Sequence, residues 1–513
     1  MKYSRYDKTD LIILYGISLI IFLFLILTGI LSSYGYFIDE FYYLSCSHRL
    51  AFGYVDHPPL SIFILYINRI IFGDSLLAVR WIPAFVFSAT VFLSGIITKQ
   101  LGGGRYAMVI TAIAVAGCPV YLLFGSFYSM NVFEILIWTL IMYYTLRILQ
   151  EDNPKYFLVI GLLLGLGLEM KHTMITYAVG LIIGISFSKS RKFLWNKWFF
   201  YGMLIAFLLL LPNIIWQLKN GMPSLEFYRN AMINKNISTS PIGIIMGQIL
   251  FIGPFAFLLG IFGLVYLLIN KDFVKYRLFG FAYLILFVLL LISQSSRPDR
   301  IAAIYPILFA AGGIAIEKYS QRVRFRIPER VVLFLLIIGA IITAPIAVPF
   351  LEPETEAAYL SSIGFKMNIE SGKRNEMLPQ WIADRLGWEE FAKDVSSVYL
   401  SLPPEERRNT VIVSTNYGEA GALELYSKEY PLPLVYATHN SFHSWGPPSD
   451  TVKTCIAVFV DRKDLEKRFE SVIEAKIFKC EYCSRPQQRI PIYIARGPKF
   501  SIEKEWKSFK IYD

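Results

Sequence analysis

Residues 36–43, Tyr-Phe-Ile-Asp-Glu-Phe-Tyr-Tyr, set two adjacent carboxylates, Asp39 and Glu40, among aromatic side chains. Partial desolvation raises a carboxylate pKa and suits the group to general-base work. Neighbours on a helix point in different directions, so one can face a substrate while the other makes structural contacts. The competing reading is an ordinary helix end, with both acids capping or facing water. Further along, Gly53-Tyr54-Val55-Asp56-His57-Pro58-Pro59-Leu60 holds Asp56 and His57 on a turn that its two prolines restrict, for ligand contact or for structure alone. A third stretch, Ser126-Phe127-Tyr128-Ser129-Met130-Asn131-Val132-Phe133-Glu134, draws Glu134 into an apolar register. An ionisable group at membrane depth is costly and is a functional candidate, the alternative being a glutamate hydrogen-bonded between helices. The fourth set is cationic: Arg80, Lys171 beside His172, and Arg297 and Arg300 around Pro298-Asp299. Singly each could snorkel to an interface. Together with the carboxylates they describe a cavity with acidic and basic walls, suited to a phosphate-bearing lipid beside a hydroxyl acceptor.

The elements that must position these groups are apolar. Of 513 residues 55% are hydrophobic and only 17% charged, against roughly 25% charged in soluble domains. Leu11–Leu31 is long enough to cross a bilayer. It follows a short basic start (Lys2, Arg5, Lys8) and lacks a small-residue cleavage site, so it reads as an uncleaved span rather than a signal peptide. Further spans are expected at Leu76–Thr98, Tyr106–Phe124, Val132–Leu149, Tyr156–Met170, Met174–Phe187, Phe199–Trp216, Ile242–Ile269, Leu278–Ile292, Ile301–Ile316 and Val331–Val348, about 11 in all. Alternate connections are basic: Lys99 and Arg105; Arg147 and Lys155; Lys189 to Lys197; Lys271 to Arg277; Lys318 to Arg330, with Arg322, Arg324 and Arg326. That asymmetry keeps one side cytoplasmic. It accounts for most of the net charge of +11 without nucleic acid. The N-terminus is then cytoplasmic, and the first loop and everything beyond Pro349 lie on the outer face.

After Pro349 no spanning run remains. Val411–Val413 and Cys455–Val460 read as buried strands, and Gln380–Tyr399 and Asp464–Ala475 have helical spacing. Residues 350–513 form one extracytoplasmic α/β domain on this reading, and 1–349 the membrane domain, whose first outer loop, 32–75, holds the reaction centre. Cys480 and Cys483 make a lone C-x-x-C, better read as a local disulfide than as a zinc site. His439, His443 and Trp445 could bind carbohydrate or pack.

The ordered set of an Asp-Glu with aromatics, x-Pro-Pro-Leu and an Arg opening the second span resembles the C-type membrane glycosyltransferases. The likeness is strongest to the protein O-mannosyltransferase and aminoarabinose-transferase superfamily, family 39. Tyr128-Ser129-Met130-Asn131-x-x-Glu134, Gly165-Leu166-Gly167-Leu168 with Lys171-His172, Tyr305-Pro306, Asn416–Ala422 and His439–Gly446 are similar to its bacterial members. The resemblance implies a polyprenyl-phosphate sugar donor and an acceptor hydroxyl on a protein, a lipid or a glycan. It matches Asp39 to the general base and Glu40 to a partner carboxylate. Donor phosphate would meet cations from His57, Arg80, Lys171, Arg297 and Arg300, with His57 standing where relatives have Lys. Asn131, Glu134 and Asp56 fall at the second acidic or acceptor site, with Glu134 where Asp is usual. No cofactor is called for; a divalent metal is possible but not indicated, and no metal ligands are assigned.

The expected fold is therefore mainly α, a polytopic transmembrane helical bundle of the C-type glycosyltransferase kind with a C-terminal extracytoplasmic α/β domain. The expected activity is inverting transfer of a sugar to a hydroxyl at the outer face of a plasma or inner membrane. A lipid or solute transporter or flippase is the alternative from a different class, and an anchored binding protein a third. The transporter reading favours charges at the bilayer midplane in paired halves, whereas here they gather at span ends.

Overall fold

The computed structural model describes residues 7–235, 237–294, 297–322, 327–365 and 377–513. All eleven apolar segments are helical. Among the described residues seven helices are long and apolar enough to cross a membrane: Lys8–Leu31, Leu76–Gln100, Met130–Glu151, Lys197–Lys219, Lys271–Ser293, Pro298–Ser320 and Ile327–Ala347. Two more expected spans are broken rather than straight. Arg105–Ala116 and Pro119–Gly125 meet at 61°, and Pro241–Ile252 and Pro254–Ile269 at 108°. In the second pair Gly253 takes a φ of +87° and Pro254 brings no amide hydrogen, so the helical ladder cannot continue. Tyr156–Met170 and Met174–Ser186 are apolar but shorter. The chain is an integral, multi-pass membrane protein. Lys2, Arg5, Arg324 and Arg326, counted above among its basic residues, lie outside the described residues.

By internal packing the chain divides into two compact units, one of Met1–Ser32, Leu77–Ile215 and Ile237–Phe350, the other of Ser33–Leu76, Trp216–Asn236 and Leu351–Asp513. In the first, helices Pro254–Ile269 and Tyr305–Ser320 touch backbone to backbone. A Cβ on Gly263 would lie 1.9 Å from the Leu308 carbonyl oxygen, and one on Gly312 2.4 Å from that of Leu259. Close approach through small residues is how helices associate in lipid, where no hydrophobic force separates protein from solvent. Glu317, buried, accepts from the amides of Gly104, Tyr106 and Ala107 at 2.6, 3.1 and 3.3 Å and so caps helix Arg105–Ala116.

The second unit is built on a five-stranded sheet: β1 (Thr410–Ser414), β2 (Val435–Ala437), β3 (Thr454–Val458), β4 (Phe469–Lys479) and β5 (Arg489–Pro498). Its order is β2-β1-β3-β5-β4; β2, β1 and β3 are parallel, and β5 runs antiparallel to β3 and β4. The two strands expected from sequence are β1 and β3. The helix expected over Asp464–Ala475 is only half right: Arg462–Arg468 is helical, but the chain then enters β4. As an edge strand β4 is mostly exposed, and its mixed polar pattern imitates an amphipathic helix. Gln380–Tyr399 is two helices, Gln380–Ala383 and Trp388–Ser401, separated before Gly387 at φ +75°. Cys480 and Cys483 form a disulfide just after β4. The segment Ser33–Leu76 carries helices Ile38–Ser47 and Leu60–Phe72, the second starting directly from Pro59.

Helix Pro353–Ser362 of this unit holds Glu356 fully buried, with neither carboxylate oxygen hydrogen-bonded among the described residues. Burial pushes its carboxyl up to about 8. The folded chain thus keeps a proton that the unfolded chain releases, and the stability this group contributes is full below about pH 4.5 and is lost as pH rises to about 8. Glu356→Gln is expected to flatten the pH dependence of unfolding in that window, followed by intrinsic fluorescence in denaturant. In the first unit, Gly263→Ala is expected to cost about 1–3 kcal/mol and lower the melting temperature in detergent. Gly16→Ala, where an added Cβ meets nothing within 4 Å, should leave it unchanged.

Candidate functional site

Asp39 and Glu40 open helix Ile38–Ser47, and the fold gives them different work. Glu40 is fully buried, and its Oε2 accepts from the Phe37 amide at 2.8 Å, a reach back over the first turn that caps the helix. Asp39 is half-buried, and its Oδ1 accepts from the Tyr417 hydroxyl at 2.8 Å. Tyr417 begins helix Tyr417–Tyr426, whose N-cap Asn416 accepts from the Gly418 amide at 2.8 Å. That helix reaches Asp39 because Gly418 and Gly421 face Ile38 and Phe41; added Cβ atoms there would sit 2.1 Å from Ile38 Cγ1 and 2.9 Å from the Phe41 backbone.

Tyr42 lies one turn further on, its ring 4.8 Å from that of Tyr417. Its hydroxyl is 2.7 Å from both Asp56 Oδ1 and Ser441 Oγ, donating to the carboxylate. Burial first, and then Asp56, push the phenol well above its usual range, so Tyr42 remains a donor. His57 is fully buried inside a cage of Tyr42, Tyr43 and Tyr54, with ring centroids 5.7, 5.3 and 4.9 Å away. Its Nδ1 lies 3.0 Å from the Pro58 carbonyl oxygen, its Nε2 3.9 Å from Asp56 Oδ1, and its carbonyl accepts from the Tyr54 amide. These contacts hold the Asp56-His57-Pro58-Pro59 turn in place.

The remaining candidates belong to the first unit. Lys171 follows helix Tyr156–Met170 as its extended C-cap. Its Nζ donates to Asn131 Oδ1 and Glu134 Oε2, both at 2.7 Å, while Thr173 donates to Glu134 Oε1 at 2.9 Å. Glu134 is buried on helix Met130–Glu151, so the break between helices Tyr156–Met170 and Met174–Ser186 brings a cation onto an acid that apolar packing would otherwise strand. Arg297 grips Asp299 through Nε and Nη2, both at 3.0 Å. Asp299 also feels the charges of Lys171 and Arg300. The exposed Arg300 is tied by its carbonyl oxygen, which accepts from Tyr177 at 2.6 Å. Asp299 is therefore paired with Arg297 and within electrostatic reach of Lys171 and Arg300. Arg80 is buried on helix Leu76–Gln100, its Cδ lying 3.9 Å from where a Cβ of Gly29 would stand.

Sequence reasoning did not single out Tyr417, Tyr42, Ser441, Thr173 or the pairing of Asp299. Tyr417 and Asp39 stand 378 positions apart, and no local pattern encodes such a bond. The only signal was that both segments lie in stretches carrying the family likeness. His439, His443 and Trp445 each contact other side chains of the second unit. His439 lies 3.2 Å from Asp513 Oδ1 and packs on Tyr417, His443 stacks on Trp506, and Trp445 lies under Arg49 at 4.3 Å. Among the described residues no group of three or more His, Cys, Asp or Glu is placed to hold a metal ion.

The family of dolichyl-phosphate-mannose-protein mannosyltransferases matches residues 56–216. Among solved structures, ArnT from Cupriavidus metallidurans bound to undecaprenyl phosphate superposes with a TM-score of 0.59 at 12% identity, over 95% of this chain and 98% of that one. The arabinofuranosyltransferase AftD from Mycobacteria gives 0.52 at 13% identity, over 97% of this chain and 40% of that one. The Archaeoglobus fulgidus oligosaccharyltransferase in the apo form gives 0.50 at 14% identity, over 80% of this chain and 64% of that one. No curated protein matches the chain by sequence.

The Lys171–Glu134 pair makes a direct prediction. Lys171→Met alone is expected to cost about 3 kcal/mol by leaving the acid unpaired. Lys171→Met with Glu134→Leu should recover most of that loss, as read from thermal unfolding of the detergent-solubilised protein.

Proposed function

From the premise that this multi-pass membrane chain has the C-type glycosyltransferase fold, which nearly its whole length shares with ArnT, we propose that it moves a sugar from a polyprenyl-phosphate donor to an acceptor hydroxyl, with inversion at the anomeric carbon. The observation that carries the reading is Asp39: a half-buried carboxylate at a helix start, with one oxygen held by Tyr417. Support for the donor comes from the ArnT neighbour, whose structure holds undecaprenyl phosphate, and from the cations around Asp299.

In the proposed step the acceptor oxygen attacks the anomeric carbon and gives its proton to Asp39. The bond from that carbon to the phosphate oxygen breaks, and its electron pair leaves with the lipid phosphate. Lys171, Arg297 and Arg300 stabilise the charge that grows on the leaving group, and Arg80 is assigned to the same work. Glu40 fixes the helix turn that aims Asp39. His57 holds the loop; its burial suits that role better than phosphate contact. Asn131 and Glu134 set the position of Lys171, and Asp56 sets that of Tyr42. The basic connections favour a cytoplasmic N-terminus, with residues 351–513 and the reaction at the opposite face.

Purified protein given radiolabelled polyprenyl-phosphate sugars and a crude envelope acceptor is expected to transfer label. Asp39→Asn should reduce turnover roughly 10²–10⁴-fold while the melting temperature holds; turnover at the wild-type rate would overturn the assignment. Tyr417→Phe removes a hydrogen bond to the charged form of the base. The acid limb of its kcat/KM profile is therefore expected to move to higher pH, a shift that a purely structural tyrosine would not produce.

A further inference from the structure

The sheet of the second unit carries a half-enclosed cavity of about 310 Å³ that takes no part in the proposed transfer. Its floor is Val413 of β1 with Cys455 and Ala457 of β3, and Leu465, Phe469 and Trp506 stand over it. Small residues on β3 leave the space open. A packed core rarely holds a void larger than a water molecule. This one has twice the roughly 150 Å³ that accommodates a benzene ring, enough for a body of about ten to twelve heavy atoms.

Its place in the topology is that of a ligand site. From β1 the chain goes to β2 on one side, while β3 lies on the other. The crevice beyond the carboxyl ends of β1 and β3 is therefore a switch point, where open α/β sheets bind ligands. Thr415 and Val460, just past those two ends, both line the cavity.

The polar groups around it identify the occupant. Thr438 lines the cavity, is only 6% exposed, and its hydroxyl has no hydrogen-bond partner among the described residues. A buried hydroxyl left in that state is costly, and an occupant's polar atom would relieve it. The other polar side chains are engaged. Thr415 donates to the Phe459 carbonyl, Asp464 pairs with Lys467, Ser508 donates to the Glu505 carbonyl, and Lys510 pairs with Glu226. Arg468 differs. It is partly exposed, its guanidinium lies 4.4 Å from the Phe509 ring centroid, and it makes no ion pair among the described residues.

We infer that this cavity binds a compact anionic amphiphile, with its apolar body on the β1–β3 floor, an oxygen meeting Thr438 and an acidic group meeting Arg468. The inference stands independently of the transfer reaction, since none of these residues belongs to the Asp39 or Asp299 clusters. Decanoate, with twelve heavy atoms, is a suitable probe. Full-length protein in nanodiscs is photolabelled with a tritiated decanoate bearing a terminal diazirine, and the labelled peptides are mapped by mass spectrometry. Label is expected on peptides containing Ala457, Phe469 or Trp506, competed by unlabelled decanoate or decyl phosphate and not by decanol. Ala457→Phe should abolish it, and Arg468→Gln should weaken it about tenfold or more. Thr438→Val should weaken it by up to about tenfold while the melting temperature of the empty protein stays level or rises. Label elsewhere, equal competition by decanol, or label unchanged in Arg468→Gln and Thr438→Val would overturn the inference, whether or not Ala457→Phe folds.

Discussion

Two helices can lie backbone against backbone only where the facing turn has no side chains, and Gly418 and Gly421 give helix Tyr417–Tyr426 that freedom against helix Ile38–Ser47. The rest of the acidic cluster depends on it. At that separation the Tyr417 hydroxyl meets Asp39, the Tyr417 ring packs at a tilt against Tyr42, and Tyr42 in turn reaches Asp56 and Ser441. A hydrogen bond to a charged acceptor contributes roughly 1.5–3 kcal/mol, but its larger effect is directional. It fixes the direction of one oxygen of Asp39. Residues Tyr417 and Ser441 thus help to build the candidate site around Asp39 and Tyr42.

Much of the fold was legible because membrane burial writes long apolar runs, and a run of that length has only one backbone solution in lipid. The breaks were less legible. Gly117-Cys118-Pro119 and Gly253-Pro254 are visible as helix-breaking pairs, yet the bends of 61° and 108° depend on neighbours that composition does not specify. In the second unit the buried strands β1 and β3 were readable as continuous apolar runs. The edge strand β4 was not, since its exposed charges at Glu470, Glu474 and Lys476 carry no period that separates a strand from a surface helix.

The candidate site divides along the same line. Asp39, Glu134 and Lys171 stood out because charge inside an apolar context is conspicuous. Tyr417 and Thr173 did not, because a tyrosine or threonine is unremarkable until the fold supplies its partner. His57 shows the converse. It drew attention by residue type, and three tyrosines enclose it. A phosphate contact needs an open face, and this imidazole is fully buried.

Two cations of the first unit, Lys171 and Arg297, are already paired, and this bears on how they would act. Glu134 opposes the charge of Lys171 and Asp299 that of Arg297, so neither is a bare cation. A cluster of unopposed cations would bind any lipid phosphate tightly, donor and spent carrier alike, and tight ground-state binding does not speed the chemical step. Partial neutralisation weakens that grip. As the glycosidic bond lengthens and negative charge builds on the phosphate oxygen, Lys171 can shift its donors from Glu134 toward the leaving group, and the attraction grows with the charge. On the proposed reading, the internal salt bridges make the site selective for the transition state over the resting lipid, which an apolar pocket with bare cations would not be.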